Sequence, residues 1–194
     1  MKKLLPLLLL ILIGCSKEPI NKEPINMNEM LVERNDVYYT RDTNQPYSGP
    51  VFTLYENGQL EWEGTLKNGI ENGPFKTYSK YYNGPLSIEG TYKDGELDGT
   101  YKSYYPNGQL KEEGTYKDGK LDGPYKDYYK NGQLKEEGIW KDGKLDGPFK
   151  SYYENGQLEM IGNYKYDLED GLWKYYWENG QLEAEETFKD GEYH

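Results

Sequence analysis

"KNGQLKEEGIWKDGKLDGPFKSYYENGQL", Lys130 to Leu158, contains its own opening twice, because Asn131-Gly-Gln-Leu returns as Asn155-Gly-Gln-Leu. Working outward, the same Asn-Gly mark stands at 57, 83, 107, 131, 155 and 179, with one step of 26 residues and four of 24. A fixed period of this size marks a repeat architecture. The repeated sentence runs Gly-Pro-aromatic-Lys-x-Tyr-Tyr-x-Asn-Gly-Gln-Leu-x-x-Glu-Gly-x-aromatic-Lys-Asp-Gly-x-Leu-Asp.

Asn-Gly and Asp-Gly between alternating segments signal two-residue hairpin turns, whose central residues both need positive φ. With turns at Asn131-Gly132 and Asp142-Gly143, counting outward predicts the register. Lys130 faces Gln133, Tyr129 faces Leu134, Lys126 faces Glu137 and Tyr125 faces Gly138. Around the second turn Trp140 faces Leu145 and Gly138 faces Gly147. Side chains alternate along a strand, so Tyr125, Tyr129, Leu134, Gly138, Trp140 and Leu145 share one face. Lys126, Tyr128, Lys135 and Glu137 share the other. Lys102–Glu113, Lys126–Glu137 and Lys174–Glu185 fall opposite one another and mark a wet face. Tyr101–Gly114, Tyr125–Gly138 and Phe149–Gly162 set a ring against bare backbone. Gly-Pro at 49–50, 73–74, 123–124 and 147–148 predicts a bend or bulge, since proline donates nothing to a ladder. The expected fold is all-β, an elongated antiparallel meander of about six repeated hairpins, rolled or twisted to shelter its rings.

The repeat resembles the MORN repeat, in the variant common in bacterial proteins. The residues that carry the resemblance are "GPYKDYYKNGQLKEEGIWKDGKLDG", Gly123 to Gly147, and its neighbours over about 47–194. The resemblance implies an elongated all-β array of hairpins. Three places depart from the pattern: "FKTYSKYY" before Asn83 is two residues longer, Tyr166-Asp167 replaces Asp-Gly, and Glu186 stands where glycine belongs.

The chain opens "MKKLLPLLLLILIGCS", with two lysines, a ten-residue apolar run and then Cys15. Ten residues are too few to span a bilayer. Leu12-Ile13-Gly14-Cys15 resembles the lipobox of bacterial lipoproteins, which implies cleavage before Cys15 and acylation of that residue. An ordinary secretory signal with a chance cysteine is the alternative. Residues 1–14 are read as the signal peptide, 15–36 as a lipidated flexible tether and 37–194 as the repeat domain. The tether holds the tandem "KEPINKEPIN", Lys17 to Asn26. The expected location is the bacterial cell envelope, at the outer membrane in a Gram-negative host or the outer face of the plasma membrane otherwise.

Removal of Lys2 and Lys3 leaves 21 basic against 34 acidic side chains, a net charge of −13. That excess repels phosphate backbones, so nucleic acid is not an expected partner. The 22 tyrosines and 4 tryptophans, at fixed positions, supply the burial that a chain so poor in aliphatic residues otherwise lacks. No cofactor or metal is expected, and no enzyme: the one histidine is His194, and the one cysteine is committed to the leader. Lipid kinases also carry MORN repeats, but no kinase motif is present here. The aspartates of "DGKLDG" (118–123, 142–147) read as turn residues, too few in ligands for calcium. Glu112–Glu113 and Glu136–Glu137 point to opposite faces and cannot share a substrate.

Tyr104, Tyr128, Tyr152 and Tyr176 remain as candidate binding residues, a row of rings on the lysine-bearing face, away from Tyr105, Tyr129, Tyr153 and Trp177. Packing of that row between rolled layers is the alternative. The expected function is a membrane-anchored, non-catalytic module for protein contact. The resemblance adds an antitoxin-like role, because such bacterial repeat proteins are described as antitoxin components. A glycan- or cell-wall-binding surface, suggested by "LWKYYW" (Leu172 to Trp177), and a structural spacer are the alternatives.

Overall fold

The computed structural model describes residues 22–81 and 84–194. The leader, Cys15, the first Lys-Glu-Pro-Ile-Asn copy and the corner at Asn83 lie outside the described residues. From Gly49 onward the chain forms one antiparallel meander of hairpins, each strand pairing with its neighbours in sequence, and the sheet does not close. The second strand of each unit is eight residues long, as in Leu110–Lys117, Leu134–Lys141 and Leu158–Lys165. The first strand runs from the Asp-Gly corner to the first tyrosine of the Tyr-Tyr pair, as in Glu96–Tyr104, Lys120–Tyr128 and Lys144–Tyr152.

The two kinds of corner are not alike. At Asp142-Gly143 both residues take positive φ (51° and 82°) and Lys141 faces Lys144, as the sequence predicts. Tyr166-Asp167 keeps the same conformation (53° and 69°) without glycine, and the Asp167 carboxylate accepts a hydrogen bond from the Leu145 amide (2.7 Å). At Asn131-Gly132 only the glycine is left-handed. The Asn131 side chain accepts from the Gln133 amide (2.9 Å), and the Gly132 amide bonds the Tyr129 carbonyl (2.8 Å). That is a three-residue loop, a tight turn closed by a left-handed glycine. The predicted pairs Lys130–Gln133 and Tyr129–Leu134 therefore do not form, and Tyr128 faces Leu134.

The extra loop residue is absorbed at once by a register shift at Lys135, after which Lys126–Glu137 and Tyr125–Gly138 pair as counted. Lys135 consequently leaves its predicted face. Its ammonium meets the Asp127 carboxylate at 2.7 Å, and Asp127, two residues from Tyr125, shares the face of that ring. Beyond the Asp-Gly corner Trp140–Leu145 forms, but Gly138 faces Phe149 instead of Gly147. The surplus falls at Asp146-Gly147-Pro148, where proline cannot donate and Gly147 sits at φ 142°. The bulge expected at Gly-Pro is thus present, and the Gly138–Gly147 pairing was the error.

Between the shifts two rows cross the sheet in register. One alternates ring and glycine: Tyr101, Gly114, Tyr125, Gly138, Phe149, Gly162. The other alternates charge: Glu63, Lys76, Glu89, Lys102, Glu113, Lys126, Glu137, Lys150. Of the expected cross-strand ion pairs, Lys174–Glu185 closes to 2.6 Å and Lys102–Glu113 stands at 4.0 Å, while Glu137 is met by Lys150 at 3.5 Å.

The largest apolar cluster lies at the N-terminal end, where Met27, Leu31, Tyr47, Val51 and Leu66 are buried together. This corrects the tether boundary: Ile25–Asn26 is a strand, Met27–Met30 a single helical turn and Leu31–Arg34 the start of a hairpin with Val37–Thr40. The ordering comes from two apolar residues four apart, Met27 and Leu31, that close over the first strand of the array.

Candidate functional site

The four candidate tyrosines sit at the ends of first strands, each beside the leucine that opens the next strand: Tyr104–Leu110, Tyr128–Leu134, Tyr152–Leu158 and Tyr176–Leu182. They lie on the face of the charged row, and all four are half-buried. Their hydroxyls are not free. Tyr104 donates to Glu89 (2.6 Å), Tyr128 to Glu113 (2.9 Å) and Tyr152 to Glu137 (3.1 Å). Tyr78 makes the same bond to Glu63 (2.6 Å). Ile161 occupies the matching place for Tyr176, so that residue lacks the carboxylate its siblings share.

Burial, reinforced by the hydrogen-bonded glutamate, pushes Tyr104 and Tyr128 up to about 12, and Tyr152 rises for the same reasons. The phenols are therefore neutral donors at physiological pH, and what they offer a partner is ring flank, not hydroxyl. The neighbouring row bonds differently. Tyr105, Tyr129 and Tyr153 donate to the carbonyls of Tyr128, Tyr152 and Tyr176, one unit ahead, at 2.7 to 2.8 Å. These hydroxyls stitch successive units. Trp177, grouped with them from the sequence, is 53% exposed and lies in no interior. It forms with Tyr153, Glu178 and Asn179 a shallow cavity of about 530 Å³.

The charged face also carries a groove that sequence reasoning missed. It recurs between Thr100 and Pro124 (about 280 Å³), and between Pro124 and Pro148 (about 230 Å³). In the first unit, between Pro50 and Pro74, it widens to about 590 Å³. There Phe52 and Leu54 stand where later units carry Lys126 and Tyr128, and Pro24 forms part of the wall. The signal was the departure "VFTL" (Val51 to Leu54) from the repeat.

The acidic pairs divide as the alternation requires. Glu112 lies on the ring side, accepting from Ser103 (2.8 Å) and Tyr125 (3.0 Å), whereas Glu113 serves Tyr128 on the other face. The corner aspartates bond backbone: Asp122 accepts from the Asp142 amide at 3.2 Å. His194 is exposed.

Four stretches, 97–118, 121–142, 145–166 and 169–190, match the family model described as the MORN repeat variant. The hairpins of residues 49–96 have the same architecture but lie outside those stretches. No curated protein matches the chain. Among solved structures, the crystal structure of a GtfA/B complex bound to UDP and GlcNAc aligns at 12% identity with a TM-score of 0.19. The alignment covers 83% of this chain and 26% of that one, so this chain spans about a quarter of its length, and so loose a superposition carries no argument. MORN repeats are in general modules for contact with proteins or membranes. Between residues 97 and 190, then, the chain matches the MORN repeat variant four times in succession.

Proposed function

We propose that the protein is a non-catalytic lipoprotein of the bacterial cell envelope, held at the membrane through Cys15, whose repeat array docks another protein on its charged face. The observation that carries this reading is the unbroken cross-strand row from Glu63 to Lys150, flanked by the flanks of Tyr104, Tyr128 and Tyr152. It is a long surface of equivalent side chains held rigidly by their own hydrogen bonds. Arrays of this kind bind extended partners because each unit repeats the contact of the last, and tyrosine flanks contribute large contact area at low entropic cost. An antitoxin-like role is the finer form of this proposal. With a lipid anchor, the matching toxin is an exported or membrane-bound one.

The test is capture of partner proteins by the mature protein and by two variants, one with Tyr104, Tyr128, Tyr152 and Tyr176 all changed to Phe and one with all four changed to Ser. Retention by the Phe variant and loss by the folded Ser variant supports docking on ring flanks. Equal capture by both refutes it. The anchor is tested separately, since Cys15→Ser releases a true lipoprotein from the membrane fraction. Glycan binding is a second reading favoured by one observation, the open cavity that joins exposed Trp177 to Tyr153, Glu178 and Asn179. Loss of binding to cell-wall glycan in Trp177→Ala supports that reading.

A further inference from the structure

The N-terminal edge of the array is itself occupied. Lys22 donates to the Ser48 carbonyl (3.0 Å) and stands 5.1 Å from the centre of the Tyr47 ring. Pro24 lines the widened groove beside Pro50 and Phe52. Ile25 and Asn26 pair in parallel with Val51 and Phe52, and Ile25 packs on the buried cluster. The Asn26 side chain then accepts from the Asn28 amide (3.1 Å) and caps the helical turn. Four of the five residues of Lys22-Glu-Pro-Ile-Asn26 therefore have a defined contact; Lys22, Glu23 and Pro24 are exposed, and Ile25 and Asn26 are half-buried.

The same five residues, in the same order, precede them as Lys17-Glu-Pro-Ile-Asn21. We propose that the edge built from Tyr47, Ser48, Val51 and Phe52 is a binding site for an extended Lys-Glu-Pro-Ile-Asn segment, and that Lys17–Asn21 of the same chain exchanges into it. The site's side-chain contacts read lysine, proline and isoleucine and do not distinguish the copies. The covalent link to Met27 and the Asn26 cap on the Asn28 amide do, and both favour the second copy. With the first copy seated, residues 22–26 form a five-residue loop before Met27, and the cost of closing a loop grows slowly with its length. The second copy is the majority occupant and the first a minor one.

The exchange moves the membrane anchor. With the second copy seated, six residues separate Cys15 from the site, at most about 20 Å of extended chain. With the first copy seated, Ser16 alone intervenes. This consequence rests on the lipoprotein reading, whereas the exchange itself does not.

Disulfide trapping tests the exchange in the full chain carrying Cys15→Ser. Asn26 lies opposite Phe52, so Asn26→Cys with Phe52→Cys closes rapidly under mild oxidation. Position 52 tolerates the change, because later units carry lysine there. Asn21→Cys with Phe52→Cys is expected to close more slowly, yet about tenfold faster than Glu18→Cys with Phe52→Cys, which matches it in tether but not in register. A free Lys-Glu-Pro-Ile-Asn peptide, capped at both ends and added in excess, is expected to slow closure of both the 26–52 and the 21–52 pairs. If the 21–52 pair closes no faster than the 18–52 control, the exchange is overturned. If the peptide slows neither pair, the binding site is overturned. Membrane fractionation of the unsubstituted Cys15 protein reports on the anchor independently.

Discussion

At the residue scale, glycine does two different things in this chain. At Gly132 and Gly143 it supplies left-handed backbone. At Gly114, Gly138 and Gly162 the backbone is ordinary strand, and the requirement is space. A methyl group on Gly138 would stand 2.8 Å from Leu145 Cδ1 and 3.3 Å from Phe149 Cδ2. At Gly162 it would stand 2.1 Å from Cδ2 of Trp173, a ring that is completely buried. Gly138→Ala is therefore expected to cost about 1–3 kcal/mol, as overpacking does, and Gly162→Ala more, both read from urea unfolding.

The tyrosine hydroxyls allow a sharper comparison between siblings. Tyr128→Phe leaves Glu113 without its donor and is expected to cost about 1 kcal/mol. Tyr176→Phe, facing Ile161, is expected to be neutral in the same assay. Equal costs would show that the carboxylate bond contributes nothing. The ring-and-glycine pattern was legible in the sequence because it depends only on counting from the corners. The hydroxyl bonds were not, because a Tyr–Glu pair 15 residues apart becomes visible only when the register is fixed to the residue.

At the scale of the element, the unit is a pair of strands with two unlike corners. The Asn-Gly corner inserts a residue and the shift at Lys135 removes it. Surplus at Gly-Pro follows the Asp-Gly corner. Counting with two-residue turns therefore gave the correct pairs in mid-strand and beside the Asp-Gly corner, and wrong ones beside the Asn-Gly corner and at Gly-Pro. The local choice at Asn131 is made by its side chain bonding its own backbone, which a dipeptide rule for hairpins does not contain. The tether boundary failed for a related reason: Met27 and Leu31 form no pattern long enough to read, and only the first strand gives them something to cover.

Since the two shifts compensate within one period, whole units are interchangeable and half-units are not. Deleting Leu121–Lys144 joins Lys120 to Leu145 in frame. It is expected to leave a folded array with unchanged circular dichroism per residue and a nearly unchanged melting temperature. Deleting Leu134–Leu145, one strand with the corner that follows it, reverses every strand that follows and is expected to abolish cooperative unfolding.

At the scale of the whole molecule, stability is tied to a common titration. Burial raises Tyr78, Tyr101, Tyr104 and Tyr128 to about 12, with Glu63, Glu112, Glu89 and Glu113 adding to it in turn. Unfolded tyrosine titrates near 10. The folded state thus holds protons that the unfolded state releases, and each phenol's contribution is intact below pH 10 and lost as pH rises from 10 to 12. Circular dichroism and tyrosinate absorbance are expected to change together in that window. Replacing Tyr104 and Tyr128 by Phe should make the decline shallower, and an unchanged slope would show that these groups are not linked to folding.

The hydroxyl of Tyr129 on the Tyr152 carbonyl has a mechanical corollary. Among the described residues the hydrogen bonds of each unit reach only the units next to it, so no single interior spans the array and must fail all at once. Pulled between its two ends in a force spectrometer, the array should unzip from one extremity in evenly spaced steps, each releasing about one 24-residue length of slack. A protein tethered by one end to a surface and gripped at the other could then yield by degrees and rewind when the load drops.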